Sequence, residues 1–136
     1  MPFRRFGRTN LPMPVLSLGG MRFQQSWDDI KTKEINPQNQ SRLESTFKKA
    51  VEYGLTHVET ARHYGSSELQ LSLAMKKFPS TIRYIQTKVP PNKFPEKFEA
   101  ELDLSFKTLD CNKIDLLSIH GINTREQLEQ TLRPGG

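Results

Sequence analysis

The sequence predicts an α/β chain of the (β/α)8 TIM-barrel class, consisting of an N-terminal hairpin (residues 3–12) and about four βα units (residues 14–136). That is half of an eight-stranded barrel. Three observations predict it. Short apolar and β-branched runs alternate with amphipathic helical stretches at the spacing of βαβ units, which implies a parallel sheet. The ionisable residues Tyr64, Lys88 and His120 fall at or just past the C-terminal ends of the second, third and fourth strands, where barrels place their functional side chains. No Gly-x-Gly-x-x-Gly follows the first strand, which argues against an open dinucleotide-binding sheet.

Each element has a local reason. Phe3 to Met13 reads as a hairpin turning at Thr9-Asn10. Pro14-Val-Leu-Ser-Leu-Gly-Gly20 reads as a buried strand ending in glycines, and residues 22–36 lack a clear period and read as a loop. Asn36-Pro37 has the form of a helix start, with Asn as cap and Pro at the first helical position. Leu43, Phe47, Ala50 and Val51 then share one helical face, and Gly54 is the expected C-cap. Thr56 to Ala61 is the second strand. Ser67 is expected to cap the next helix, with Gln70 completing a capping box and Leu69, Leu73 and Ala74 facing inward. Arg83 to Val89 is the third strand. Pro95 opens a helix whose buried stripe is Phe98, Leu102, Phe106 and Leu109. Ile114 to His120 is the fourth strand, and Thr124 caps a last helix through Leu128 and Leu132.

Composition excludes several classes. The 136 residues suffice for one domain with a core. The net charge of +5 comes from 20 basic and 15 acidic side chains distributed along the chain. With no basic block, neither a nucleic-acid partner nor a membrane partner is expected. No apolar run reaches the length of a membrane span, and no secretory h-region follows the basic N-terminus. The single Cys111 cannot form an internal disulfide, which fits a reducing cytoplasm. No His/Cys/Asp/Glu spacing forms a metal site.

The strand ends carry the chemistry. Glu59-Thr-Ala-Arg-His-Tyr64, Gln86-Thr-Lys88 and Leu116-Leu-Ser-Ile-His120 deliver a carboxylate, a phenol, an ammonium and an imidazole. Those groups suit protonation of a carbonyl oxygen while hydride reaches the carbon. Taken singly, Tyr64 would be a packed aromatic, Lys88 a solvated strand-end lysine and His120 a core histidine. His57 and His63 read as structural or solvent-facing, and Glu68 as a carboxylate favouring the helix dipole.

Together these segments resemble the aldo-keto reductases, NAD(P)H-dependent barrels that reduce aldehydes and ketones. Arg5-Phe-Gly-Arg-Thr-Asn-Leu-Pro-Met-Pro-Val15 resembles the family's opening hairpin and first strand. Thr60-Ala-Arg-His-Tyr-Gly-Ser-Ser-Glu68 is similar to its Asp-Thr-Ala-x-x-Tyr-Gly-x-Ser-Glu signature. Thr87-Lys88 and Asp115-Leu-Leu-Ser-Ile-His120 resemble its lysine- and histidine-bearing strands. The resemblance runs from Phe3 to the end of the chain and implies Tyr64 as general acid, with Lys88 lowering its proton affinity. It implies that His120 orients the substrate oxygen and that Glu59 pairs with Lys88. It places Gly20, Met21 and Arg22, with Glu59, at the nicotinamide end of NADPH or NADH, and implies a small-molecule carbonyl substrate.

Glu59 is the departure, since the family has aspartate there. One more methylene displaces the carboxylate by about 1.5 Å, and misplacement on that scale costs about a hundredfold in rate. The pair with Lys88 is nevertheless expected to persist, because losing one partner leaves an uncompensated charge. Family positions that grip the adenine and 2′-phosphate lie beyond this stretch. The chain is therefore expected to be the truncated first half of a carbonyl reductase. The alternatives are a half-barrel that self-associates through its open edges, or a non-catalytic binding or assembly module of the same fold.

Overall fold

A computed structural model describes residues 1–79 and 81–134. The chain opens with an antiparallel hairpin of β1 (Phe3–Phe6) and β2 (Leu11–Pro14), in register from Phe3 opposite Pro14 to Phe6 opposite Leu11. A single 3-10 turn, Gly7–Thr9, connects them, and Asn10 takes a left-handed φ of 59°. The hairpin thus runs two residues beyond the expected boundary at 12.

Four parallel strands follow, in the order β3 (Leu18–Gly19), β4 (His57–Glu59), β5 (Tyr84–Val89) and β6 (Leu116–Ile119). Helices α1 (Pro37–Glu52), α2 (Ser67–Lys77) and α3 (Pro95–Leu109) connect them, and α4 (Arg125–Leu132) follows β6. Sequential order in a parallel sheet is the pattern of a barrel wall rather than of a doubly wound sheet, whose order reverses at a switch point. Residues 22–36 are irregular apart from a 3-10 turn at Thr32–Glu34.

The core lies between sheet and helices. Leu18 and Val58 from the strands meet Leu43 and Phe47 of α1 and Leu71 and Ala74 of α2, with Ile85 packed against them. Phe47 stacks on Phe78 at 5.8 Å between ring centroids. The expected caps on α1 and α4 form. The Asn36 side chain accepts from the backbone N–H groups of Gln38 at 2.8 Å and Asn39 at 3.1 Å. Thr124 and Gln127 make a reciprocal capping box. Gly54 follows α1 with a φ of 77°.

Three expectations need correction. The strand placed at residues 14–20 contracts to Leu18–Gly19, because Pro14 ends the hairpin while Val15 and Leu16 stand exposed between the two sheets. Ser67 is the first residue of α2, not its cap. Ser66 holds the cap position but makes no capping bond, because its hydroxyl is engaged by the backbone N–H groups of Gln25 and Ser26 and by Gln70. Leu71 and Ala74 are the buried apolar residues of α2, while Leu69 and Leu73 are only half-buried. In α3 the stripe is placed as expected, with Leu109 buried and Phe98, Leu102 and Phe106 half-buried. Leu128 and Leu132 of α4 are exposed, and the Arg133 guanidinium donates to the Lys93 carbonyl at 2.7 Å. The final glycines, Gly135 and Gly136, lie outside the described residues.

Candidate active site

Side chains alternate across the strands. Val58, Ile85 and Leu18 turn toward the helices and enter the core. Glu59, Gln86, Lys88 and Ser118 turn to the opposite, inner face, where Glu59 lies beside Gln86 and Lys88 beside Ser118 in the register. This inner face is polar. Ser17 Oγ lies 2.7 Å from His57 Nδ1, and the Gln86 amide donates to Ser118 Oγ at 2.9 Å.

Four of the sequence-selected residues converge at the C-terminal end of this face. The backbone N–H of Arg62 donates to the Lys88 carbonyl at 2.9 Å, drawing the turn after β4 onto the end of β5. Tyr64 is carried on that turn, followed by Gly65 with a φ of 50°. A side chain at 65 would also strike the backbone of Ser26 and Trp27, so glycine lets residues 26–27 close over the turn. The Lys88 ammonium donates to the Tyr64 hydroxyl at 3.0 Å and to the Thr60 carbonyl at 3.1 Å. It also pairs with the Glu59 carboxylate. His120, whose backbone N–H donates to the Val89 carbonyl at 2.8 Å, sets its ring edge-on to Tyr64 at 5.3 Å and 89°.

The electrostatics follow from this crowding. Burial lowers the Lys88 pKa from its ordinary 10.5. The His120 pKa is lowered from 6.5, first by burial and then by the positive charges of Lys88 and His63, which favours a neutral imidazole at neutral pH.

The other selected residues are placed differently. Gly20 faces the helices. A Cβ there would lie 2.5 Å from Ser67 Oγ and 2.7 Å from Leu71 Cδ1, so the residue permits close packing of β3 on α2. Met21 and Arg22 are exposed just beyond β3. His57 is buried in the inner layer and His63 is exposed. Among the described residues no group of three or more His, Cys, Asp or Glu is arranged to hold a metal.

Two features were not singled out from sequence. Glu68, expected at the helix start, is fully buried in an ion pair with Arg62, which is 3% exposed. Thr87 donates to the other Glu68 oxygen at 2.7 Å. The available signal was the alternation of β5, which sends Thr87 to the opposite face from Lys88.

Comparison with known proteins agrees with this architecture. The chain matches the Aldo/keto reductase family over residues 15–133. A putative aldo-keto reductase from Pseudomonas aeruginosa superposes with a TM-score of 0.76 at 23% identity, over 93% of this chain and 51% of that one. A thermostable aldo-keto reductase in complex with the inhibitor epalrestat gives 0.70 at 27%, over 96% and 48%. An aldo/keto reductase from Klebsiella pneumoniae in complex with NADP and acetate gives 0.65 at 18%, over 95% and 44%. The chain thus spans about half the length of the solved structures it matches. Comparison with curated proteins gave no match. With the family matched over most of its length and a half-barrel fold, the chain belongs to the Aldo/keto reductase family.

Proposed function

We propose that the chain carries the proton-donating half of an NAD(P)H-dependent carbonyl reductase that converts an aldehyde or ketone to an alcohol. The observation that carries this is the Lys88 ammonium 3.0 Å from the Tyr64 hydroxyl, with Glu59 paired behind it and His120 edge-on to the phenol. The residues present fit the reactive end of a nicotinamide cofactor. The phenol, ammonium and imidazole converge at one end of the sheet, and Met21 and Arg22 stand exposed beyond the neighbouring strand at the same end. When bound, the cofactor supplies the hydride. The Klebsiella relative was solved with NADP, which favours NADPH here.

The residues of this chain supply the rest. His120, neutral through its lowered pKa, donates a hydrogen bond that orients the substrate oxygen. Tyr64 donates its proton to that oxygen as the carbon is reduced. Lys88 stabilises the phenolate left behind, and solvent returns the proton. Glu59 keeps the ammonium charged and aimed. A reducing cytoplasm suits the half-buried free Cys111.

The test is a fusion in which these residues replace the matching half of the thermostable reductase. The folded fusion should oxidise NADPH in the presence of an aromatic aldehyde. Tyr64→Phe should lose about two to four orders of magnitude in kcat, the span of general acid catalysis, with little change in cofactor affinity. A folded, NADPH-binding fusion whose turnover does not depend on Tyr64 would overturn the assignment.

A further inference from the structure

Lys88 and Tyr64 meet on the inner face, yet the contacts that hold their backbones together lie on the helix side. From the Lys88 carbonyl, a hydrogen bond leads to the Arg62 backbone N–H at 2.9 Å. The Arg62 guanidinium reaches one oxygen of Glu68, and the other accepts from the Thr87 hydroxyl at 2.7 Å. Thr87 is bonded covalently to Lys88, so the contacts close a ring. The turn bearing Tyr64 leaves that ring at Arg62. The three side chains that close it are buried: Arg62 at 3% exposure, Glu68 and Thr87 at 0%. Arg62 is anchored further by Asp29 of the preceding loop, by Glu101 of α3 at 3.6 Å and by Thr108 at 3.5 Å.

A carboxylate in the first turn of α2 would favour the helix dipole wherever it pointed. Here both oxygens are directed to Arg62 and Thr87, a choice that the dipole does not require. A buried carboxylate needs its second oxygen satisfied, and here the hydroxyl that does so belongs to the strand residue bonded to the lysine, which ties the pair to the backbone of Lys88.

We propose that Glu68, Arg62 and Thr87 are positioning residues that fix the separation of the Lys88 ammonium and the Tyr64 hydroxyl from the far side of the sheet. This rests on the assignment of those two groups to proton transfer, but its test does not require turnover. Thr87→Val keeps the shape and removes the donor, whereas Thr87→Ser keeps the donor.

The 136-residue chain, labelled with carbon-13 at lysine Cε, reports on Lys88 directly by NMR. The wild type should show a through-space contact between the Lys88 Cε protons and the Tyr64 ring, given an ammonium 4.6 Å from the ring centroid. Its lysine midpoint should lie below 10.5. Thr87→Val should lose the contact and raise the midpoint towards the ordinary value as Lys88 gains solvent, while Thr87→Ser retains both. If Thr87→Val does not fold, Glu68→Gln removes the charge that holds Arg62 and is expected to give the same two changes. A folded Thr87→Val or Glu68→Gln chain with contact and midpoint unchanged overturns the proposal, as does a folded Thr87→Ser chain that loses them. Failure of Tyr64→Phe to slow the fusion would strike the proton-transfer assignment alone and leave these NMR results standing.

Discussion

Lys88 is held by opposing demands. Burial lowers its pKa, and the carboxylate of Glu59 favours its charged form. The longer glutamate side chain reaches the ammonium, so the extra methylene is absorbed without separating the pair. Glu59→Gln should therefore destabilise the chain by roughly 1–3 kcal/mol, less than the ~3–5 kcal/mol of a fully buried pair because both side chains keep some solvent contact. Urea denaturation measures this, and an unchanged midpoint would show the pair to be idle. The histidines make a second prediction. His57 and His120 both have pKa values lowered from 6.5, with burial as the first cause. Between that value and the lower folded ones, the unfolded chain binds protons that the native chain refuses. The stability tied to the neutral imidazoles is thus complete above about pH 6.5 and is lost as pH falls through the folded pKa values. Denaturation at a series of pH values from 7.5 to 5 should show the fall, and His57→Asn with His120→Asn should flatten it. Tyr64, Lys88 and His120 were legible because each ends or closely follows an apolar strand. The Arg62–Glu68 pair was not, since nothing local requires two charged residues six apart to be buried together.

The elements divide by how local their determinants are. Asn36 and Thr124 mark helix starts through bonds within a turn and Pro95 through its fixed φ, and all three starts fall where the sequence placed them. Asn36→Ala should cost about 1 kcal/mol, because the side chain serves two backbone donors. The start of α2 departs from the expected cap because Ser66 and Ser67 have tertiary partners. Ser66 binds the 25–26 loop, and Ser67 Oγ lies 2.8 Å from Thr60 Oγ1. The first strand is shorter than its apolar run for a similar reason. Val15 and Leu16 look like strand residues, but they serve as the passage from hairpin to sheet and are left exposed. The same logic separates two large side chains in thermal denaturation. Phe47→Ala, at 0% exposure, should cost about 3–5 kcal/mol, whereas Leu132→Ala, at 73%, should stay within about 0.5 kcal/mol. Equal losses would mean that α4 is docked in solution.

At the scale of the molecule, among the described residues the parallel sheet pairs β3 and β6 on one side only. The outer row of backbone donors and acceptors on each is therefore open, as expected of half a barrel. Apolar side chains lie near both edges: Val15 and Leu16 before β3, Leu117 within β6, and Ile122 and Leu128 beyond it. The solved relatives are about twice as long, so in them further chain is available to cover such edges. We expect the isolated chain to cover them with copies of itself, since unpaired strand edges recruit strands. The net charge of +5 opposes that contact at low ionic strength, and salt screens the repulsion. Edge pairing should accordingly strengthen with added salt, whereas association through complementary ion pairs would weaken. Sedimentation velocity at micromolar concentrations separates the two. Leu117→Lys places a charge on the β6 edge at an already exposed position, so it should shift the chain towards monomer while changing stability by only about 0.5 kcal/mol. A wild-type chain that stays monomeric as salt and concentration rise would show that these edges are protected in solution. Association unaffected by Leu117→Lys would move the contact to the β3 edge, where Leu16→Lys makes the same test.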